Sequence, residues 1–99
     1  MKFNEEQQKE FDRVVSDIAN KEIDFSDFAA APFEEIGSWH HGAGTWIRNE
    51  YGLWHTSILT ERWRNDSSSH DIRDGVDYSE DHPDQMSSLI LEALWKRLQ

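Results

Sequence analysis

The sequence of 99 residues contains no cysteine, only two prolines and no long hydrophobic run. Without cysteine the chain has no disulfides, thiolate metal sites or cysteine nucleophiles, which favours a reducing, cytoplasmic environment. No apolar stretch approaches the roughly 18 residues of a transmembrane helix, and the polar first residues do not resemble a signal peptide. We therefore expect neither a membrane partner nor secretion.

Positive charge is also scarce. The chain has twenty acidic and ten basic residues, which gives a formal net charge of −10 with histidines neutral. A chain of this charge repels phosphate, and no local basic patch is visible, so direct binding to nucleic acid is not expected. The length suits one domain over residues 1–99, and large aromatic side chains offset a small apolar fraction in its core.

The hydrophobic pattern predicts a small all-α bundle of about four helices. Asn4 and Gln7 resemble a capping box, and the apolar residues that follow recur with helical spacing. A short turn capped by Asp24 or Ser26 comes next. From Pro32 a second, long helix is expected to continue towards Gly52.

Two further helices are predicted in the second half of the chain. Ser57 can cap a short third helix, and Pro83 is placed to open the last one. Apolar residues lie on two faces of this last helix, which is typical of a helix at the centre of a bundle or of one flanked by a partner chain. Arg48 is expected to pair with an acid such as Asp84.

A long acidic loop separates these two helices at about residues 65–82. Ile72, Val76 and Tyr78 are its only candidate anchors. Seven acids and one base lie in residues 66–85, and this row of carboxylates resembles a run of phosphates. It could enter a Lys/Arg-lined channel of a partner, or it could simply be a solvated loop that keeps the chain soluble. The loop residues predicted to bind a partner are Asp66, Asp71, Asp74, Asp77, Glu80 and Asp81.

Tryptophan and arginine suggest a second candidate surface. Most of the five tryptophans are expected in the core. These two residue types also dominate protein interfaces, so Trp54 or Trp63, together with Arg62 and Arg64, is predicted to be exposed for a partner.

Two motifs carry a resemblance to a known family. Residues 40–54 read HHGAGTWIRNEYGLW, and residues 82–87 read HPDQMS. Together they resemble an uncharacterised family of small bacterial and phage domains, in which an HHGxGxWIRNxxGLW segment precedes an HPDDMS helix start. The resemblance covers residues 36–64 and 82–98. Gln85 replaces the second Asp of that family pattern, and the 65–81 loop is longer than in typical members. The resemblance implies an all-α fold and no particular activity.

No catalytic or metal-binding set is predicted. The five histidines include no i, i+4 pair, so no metal site and no cofactor are expected, and His40 is assigned to the core instead. Arg48, Asn49 and Glu50 with His41 do not supply a nucleophile, a base and an oxyanion donor at a workable spacing. We therefore predict that the chain is not an enzyme.

These features lead to two functional hypotheses. The first is an acidic inhibitor encoded by a phage or mobile element and acting in the host-cell cytosol. It would bind the nucleic-acid-binding surface of a host defence complex, such as a CRISPR surveillance complex, and block access of nucleic acid. The alternative is an immunity or regulatory protein that neutralises a toxin or another bacterial partner through the Trp/Arg surface. A monomer or a dimer fits either hypothesis.

Overall fold

The fold, given by a computed structural model, is described for residues 3–99, with the backbone alone described at His40. Helix α1 spans Glu5–Ala19. Its N-terminus carries the predicted capping box: the Gln7 backbone N–H donates to Asn4 Oδ1 at 2.8 Å, and the Asn4 N–H donates to Gln7 Oε1 at 3.1 Å. The apolar face of α1 buries Val14, Val15 and Ile18. The prediction for this helix is confirmed.

The expected long second helix is divided. Helix α2 is the short turn Ser26–Ala30, and the Asp24 carboxylate accepts from the Ser26 N–H at 2.9 Å. A 3-10 helix then spans Phe33–His40, and α3 begins only at Ala43 and ends at Glu50. Glycines in this region weaken a continuous α-helix by about 1 kcal/mol each, which accounts for the division. The expected packing of the His40 side chain lies outside the described part of the molecule.

Gly52 reverses the chain after α3. Its φ of +63° is a left-handed conformation that favours glycine, and a Cβ there would lie 2.2 Å from Thr56 Oγ1. The Gly52 carbonyl accepts from the backbone N–H groups of His55, Thr56 and Ser57. Glycine at this position therefore permits both the turn and the close approach of Thr56.

The segment after this turn contains a short helix and a folded loop. Ser57 caps a 3-10 turn over Ile58–Thr60, as predicted, and α4 follows directly over Glu61–Asn65. The acidic loop contains a 3-10 turn at Ser67–Ser69 and a small antiparallel hairpin. Its strands are β1 (Ile72–Arg73) and β2 (Val76–Asp77).

Helix α5 spans Pro83–Arg97 and forms the centre of the bundle. The Asp84 N–H donates to Nδ1 of His82, the N-cap residue, at 3.0 Å. The helix packs against α1, α3 and the 3-10 helix Phe33–His40, as its two apolar faces predicted. Each large apolar side chain that it buries contributes about 1.5–3 kcal/mol. These buried side chains are Met86, Ile90, Leu91 and Leu94.

Arg48 joins α3 to the start of α5. Its guanidinium lies in the interior, where Nη1 donates to Ser87 Oγ at 2.8 Å and Nη2 donates to Thr45 Oγ1 at 2.9 Å. Arg48 Nε lies 3.4 Å from Asp84 Oδ1, which confirms the predicted ion pair. The all-α class is also confirmed, since the described strands form only the small hairpin. Within the described residues, no helix combines the length and the apolar character needed to cross a membrane.

Candidate interaction surface

The acidic loop folds around one side chain, Trp63 of α4. Its indole Nε1–H donates to Asp77 Oδ2 at 2.9 Å. The His70 ring stacks on the indole with centroids 5.2 Å apart, and His70 Nε2 lies 2.7 Å from the Trp63 carbonyl oxygen. The His82 ring approaches Trp63 edge-on at 4.9 Å. Residues from the beginning, the middle and the end of the loop are thus fixed to one indole.

Asp77 is the carboxylate that closes the loop. Besides the Trp63 indole, it accepts hydrogen bonds from the Ser79 backbone N–H at 2.9 Å and from the Ser79 hydroxyl, both at Oδ1. Burial pushes the pKa of the Asp77 carboxyl upward, but these hydrogen bonds outweigh it and lower the pKa to about 2. Across the loop the Asp71 N–H donates to Ser79 Oγ at 2.8 Å. Asp77 therefore stays ionised at neutral pH as part of the loop's own framework.

The tip of the loop is a tight hairpin turn at Asp74 and Gly75. Both residues have positive φ, 52° and 80°, as expected for a two-residue hairpin connection. The Asp-Gly pair is the sequence signal for this turn, and sequence reasoning missed it. At the base of the hairpin, Arg73 donates two hydrogen bonds to Asp71, at 2.7 and 3.1 Å.

Asp81 ends the loop in a buried position. Its side chain is only 7% exposed, and Oδ2 accepts from Arg62 Nε at 3.2 Å. Its other oxygen, Oδ1, has no hydrogen-bond partner among the described residues. Arg64, two residues further along α4, donates to Thr60 Oγ1 at 2.6 Å. Both arginines of the predicted Trp/Arg surface thus contact residues of their own chain.

Three apolar side chains of the hairpin face solvent instead of anchoring it. Ile72, Val76 and Tyr78 are each at least half exposed, so their assignment as the loop's anchors was wrong. The anchors are Trp63 and the polar groups bonded around it, because a two-stranded hairpin has no interior of its own to bury apolar side chains. The hairpin consequently presents an exposed surface that is both apolar and acidic.

The described residues contain no group of three or more His, Cys, Asp or Glu side chains arranged to hold a metal ion.

A protein-family model covers nearly the whole chain. Residues 5–98 match the sequence profile of a family described as Domain of unknown function (DUF6794). The chain belongs to the DUF6794 family. No curated protein and no solved structure matches the chain. The DUF6794 match extends to most of the N-terminal region, which the two motifs in the middle and last parts of the chain did not reach.

In this DUF6794 chain the predicted partner-binding residues differ in their contacts and exposure. The structure brings Trp54 and Asp77 against Trp63, and the Trp54 ring lies edge-on to the Trp63 ring with centroids 6.0 Å apart. Arg62 and Asp81 pair with each other. Trp54 nevertheless remains exposed, whereas Trp63 is half-buried. Asp71 is partly exposed and paired with Arg73. The remaining acids are exposed: Asp66, whose carboxylate also caps the Ser67–Ser69 turn, Asp74 and Glu80.

Proposed function

We propose that this chain is a non-enzymatic inhibitor whose folded loop, residues 66–80, binds a basic protein surface that otherwise receives nucleic acid. In this proposal the chain is encoded by a phage or mobile element, and its target is a host defence complex of the CRISPR surveillance kind. Asp66, Asp74 and Glu80 provide the negative charge, while Ile72, Val76 and Tyr78 provide apolar contact.

The observation that carries this proposal is the mixed character of the exposed hairpin. A loop that serves only solubility has no need of three exposed, large apolar side chains among its carboxylates. Protein interfaces, in contrast, combine an apolar centre with a polar, charged rim. The exposed hairpin therefore supports a binding role better than a purely solvating one.

The fixed shape of the loop also favours binding. Trp63 and Asp77 hold the loop in one conformation, so less conformational entropy is lost when it docks. A hydrogen bond from the Ser68 hydroxyl is the main cause that lowers the pKa of Asp66, and one from Arg73 does the same for Asp71. Both carboxylates are therefore ionised at neutral pH and can steer the chain towards a basic partner.

A capture experiment with charge-matched variants tests the proposal. The full chain is immobilised, exposed to a bacterial lysate, and the retained proteins are identified by mass spectrometry. We expect subunits of a nucleic-acid-handling complex that added DNA or RNA displaces. A triple variant with Asp66→Asn, Asp74→Asn and Glu80→Gln should lose them. It spares Asp77 and Asp81, whose carboxylates hold the loop together.

The control is a triple variant on α1, with Glu5→Gln, Glu6→Gln and Asp12→Asn. Both triple variants change the formal net charge from −10 to −7, since each removes three acids. The α1 variant should capture the same proteins as the original chain. The proposal would be contradicted if both variants lost the captured proteins equally. It would also be contradicted if added nucleic acid did not displace the captured proteins.

A second candidate function is that of an immunity or regulatory protein, and the exposure of Trp54 favours it. Its side chain is exposed and packs against Trp63, and the side chain of Arg62, the residue before Trp63, is also well exposed. Binding centred on Trp54 would depend weakly on salt, whereas binding through the acidic hairpin would weaken steeply with ionic strength. The salt dependence of the captured complex distinguishes the two functions.

A further inference from the structure

A separate apolar groove, whose lining includes no residue of the acidic loop, opens between α1, α2, α3 and α5. Its volume is about 300 Å³, and its floor includes the buried side chains of Ile18, Phe28 and Ile47. Ile23 and Trp46 stand at its rim, 48% and 38% exposed. The volume lies at the low end of the range for ligand pockets, roughly 300–1,000 Å³. The groove can therefore accept a few large apolar side chains but not a large ligand.

The rim of this groove is acidic. Asp24 lines it directly, and residues 17–28, which form one side of it, contain four acids and one base. Hydrogen bonds from Ser26, above all from its hydroxyl, lower the pKa of the Asp24 carboxyl. Glu22 and Asp27 are exposed on the same segment. An apolar occupant would thus meet several carboxylates at the edge.

The chain already places one cation at this rim. The Lys21 ammonium lies 5.8 Å from the centre of the Trp46 ring and 3.7 Å from Asp17 Oδ2. Asp17 also accepts a hydrogen bond from the Tyr51 hydroxyl, and the Tyr51 ring lies edge-on to Trp46 at 6.0 Å. An aromatic face beside a carboxylate is a site that suits Lys and Arg side chains. The position of Lys21 shows that the rim accommodates a cationic side chain between an aromatic ring and a carboxylate.

We propose that this groove docks a short basic amphipathic segment of a partner protein. Two large apolar side chains, about one helical turn apart, enter the groove, and neighbouring Lys or Arg side chains engage Asp24 and the face of the Trp46 ring. The acidic rim disfavours a second copy of this chain, whose net charge of −10 would repel it. This surface is independent of the acidic loop and goes beyond the proposed function.

A synthetic probe tests the groove directly. The probe is a helical peptide of about 14 residues, long enough for partial helicity, made of Leu and Lys with Leu at i, i+3 and i+4 spacing. Its twin carries Glu in place of Lys. With the ¹⁵N-labelled full chain, we expect the Lys peptide to shift the resonances of Ile23, Asp24 and the Trp46 indole. The Glu peptide should leave these resonances unchanged.

Matched variants show whether the groove itself binds the probe. Ile23→Ser should weaken binding of the Lys peptide at least about 10-fold, equivalent to roughly 1.4 kcal/mol. Phe33→Ser removes a side chain of the same exposure, 48%, that belongs neither to the groove nor to the acidic loop, and should leave the affinity unchanged. Asp24→Asn keeps a side-chain oxygen that can accept from Ser26, and it should weaken binding about 3-fold at low salt only.

Any one of four results would overturn this proposal. The Lys peptide could shift only resonances outside the groove, the Glu peptide could bind equally well, or Ile23→Ser could leave the affinity unchanged. Self-association of the original chain that Ile23→Ser abolishes would also overturn it, because the groove would then be occupied by a second copy.

Discussion

Two acidic regions of this chain carry the same charge but use it differently. Residues 1–35 contain ten acids and four bases, and residues 66–85 contain seven acids and one base, so each has a formal charge of −6. On α1 the acids lie at the surface and form short-range ion pairs, such as Glu5 with Lys9 at 3.6 Å. In the loop, Asp66 caps a turn and Asp71 accepts from Arg73 of the hairpin. Asp77 accepts from the Trp63 indole.

The two regions differ in how much stability the fold would lose if one of their carboxylates were neutralised. Exposed ion pairs contribute about 0–1 kcal/mol, because water solvates the separated charges almost as well. A carboxylate that accepts several hydrogen bonds in a half-buried loop contributes more, since its partners would be left unsatisfied. Equal net charge therefore does not mean equal importance, and five substitutions or conditions can separate the two regions.

The largest effect is expected from removing the side chain around which the loop folds. Trp63→Ala should lower the free energy of unfolding by about 2–4 kcal/mol, because a large half-buried ring and the indole donor to Asp77 disappear together. Urea denaturation measures the change. The loop acids should then become as solvated as those of α1, and amide hydrogens in residues 66–80 should exchange faster.

Trp63→Phe serves as the intermediate variant. It keeps an aromatic ring against His70 and His82 but removes the N–H that donates to Asp77. Its destabilisation should fall between those of the original chain and Trp63→Ala. Equal stability of all three chains would mean that the loop does not depend on this indole.

A smaller loss is expected from Asp77→Asn. Both oxygens of the Asp77 carboxylate accept hydrogen bonds, so an amide must turn its NH₂ group towards a donor, either Trp63 Nε1 or Ser79. We expect a destabilisation of about 1–2 kcal/mol in urea denaturation. Unchanged stability would show that the loop does not need the ionised form of this carboxyl.

Acid should weaken the loop in a defined pH window. The folded pKa of Asp77 is about 2, below the value of about 3.9 for an unfolded chain, so its ionisation stabilises the fold above pH 4. That contribution, about 1 kcal/mol after allowance for solvent exposure, should be lost as the pH falls from about 4 to about 2. Thermal unfolding of the original chain and of Asp77→Asn, measured between pH 6 and pH 2, checks this. The variant should show a shallower decline over that window.

The smallest effect is expected on α1. Asp12→Asn makes the same chemical change as Asp77→Asn, but the Asp12 side chain is exposed and accepts only from Gln8 Nε2, at 3.0 Å. An amide oxygen can still accept that bond, so the stability should change by less than about 0.5 kcal/mol. A loss as large as that of Asp77→Asn would remove the distinction between the two regions.

Much of the helical architecture was predictable because it depends on local signals. The capping box of α1, the Ser57 cap, the Gly52 turn and the start of α5 at Pro83 are each encoded within a few residues. The division between the 3-10 helix Phe33–His40 and α3 was missed. Helical spacing of apolar residues does not distinguish one long helix from two shorter segments that bury the same face.

The arrangement of the candidate site was harder to predict because it depends on long-range hydrogen bonds. Nothing in the sequence near Asp77 indicates that its carboxylate faces the Trp63 indole, fourteen residues earlier in the chain. The sequence identified the loop as acidic but not which acids stay exposed. The Asp74–Gly75 pair was a local signal for the hairpin turn, and it was overlooked.

The ring cluster around Trp63 also has an optical consequence. The indoles of Trp54 and Trp63 lie 6.0 Å apart and cross at 71°, close enough for their electronic transitions to couple. Trp39, Trp46 and Trp95 have phenylalanine or tyrosine rings as neighbours instead. Circular dichroism in the indole bands should therefore report on the packing of Trp54 against Trp63, so loss of the ring cluster on which the loop is folded can be followed without attaching a dye.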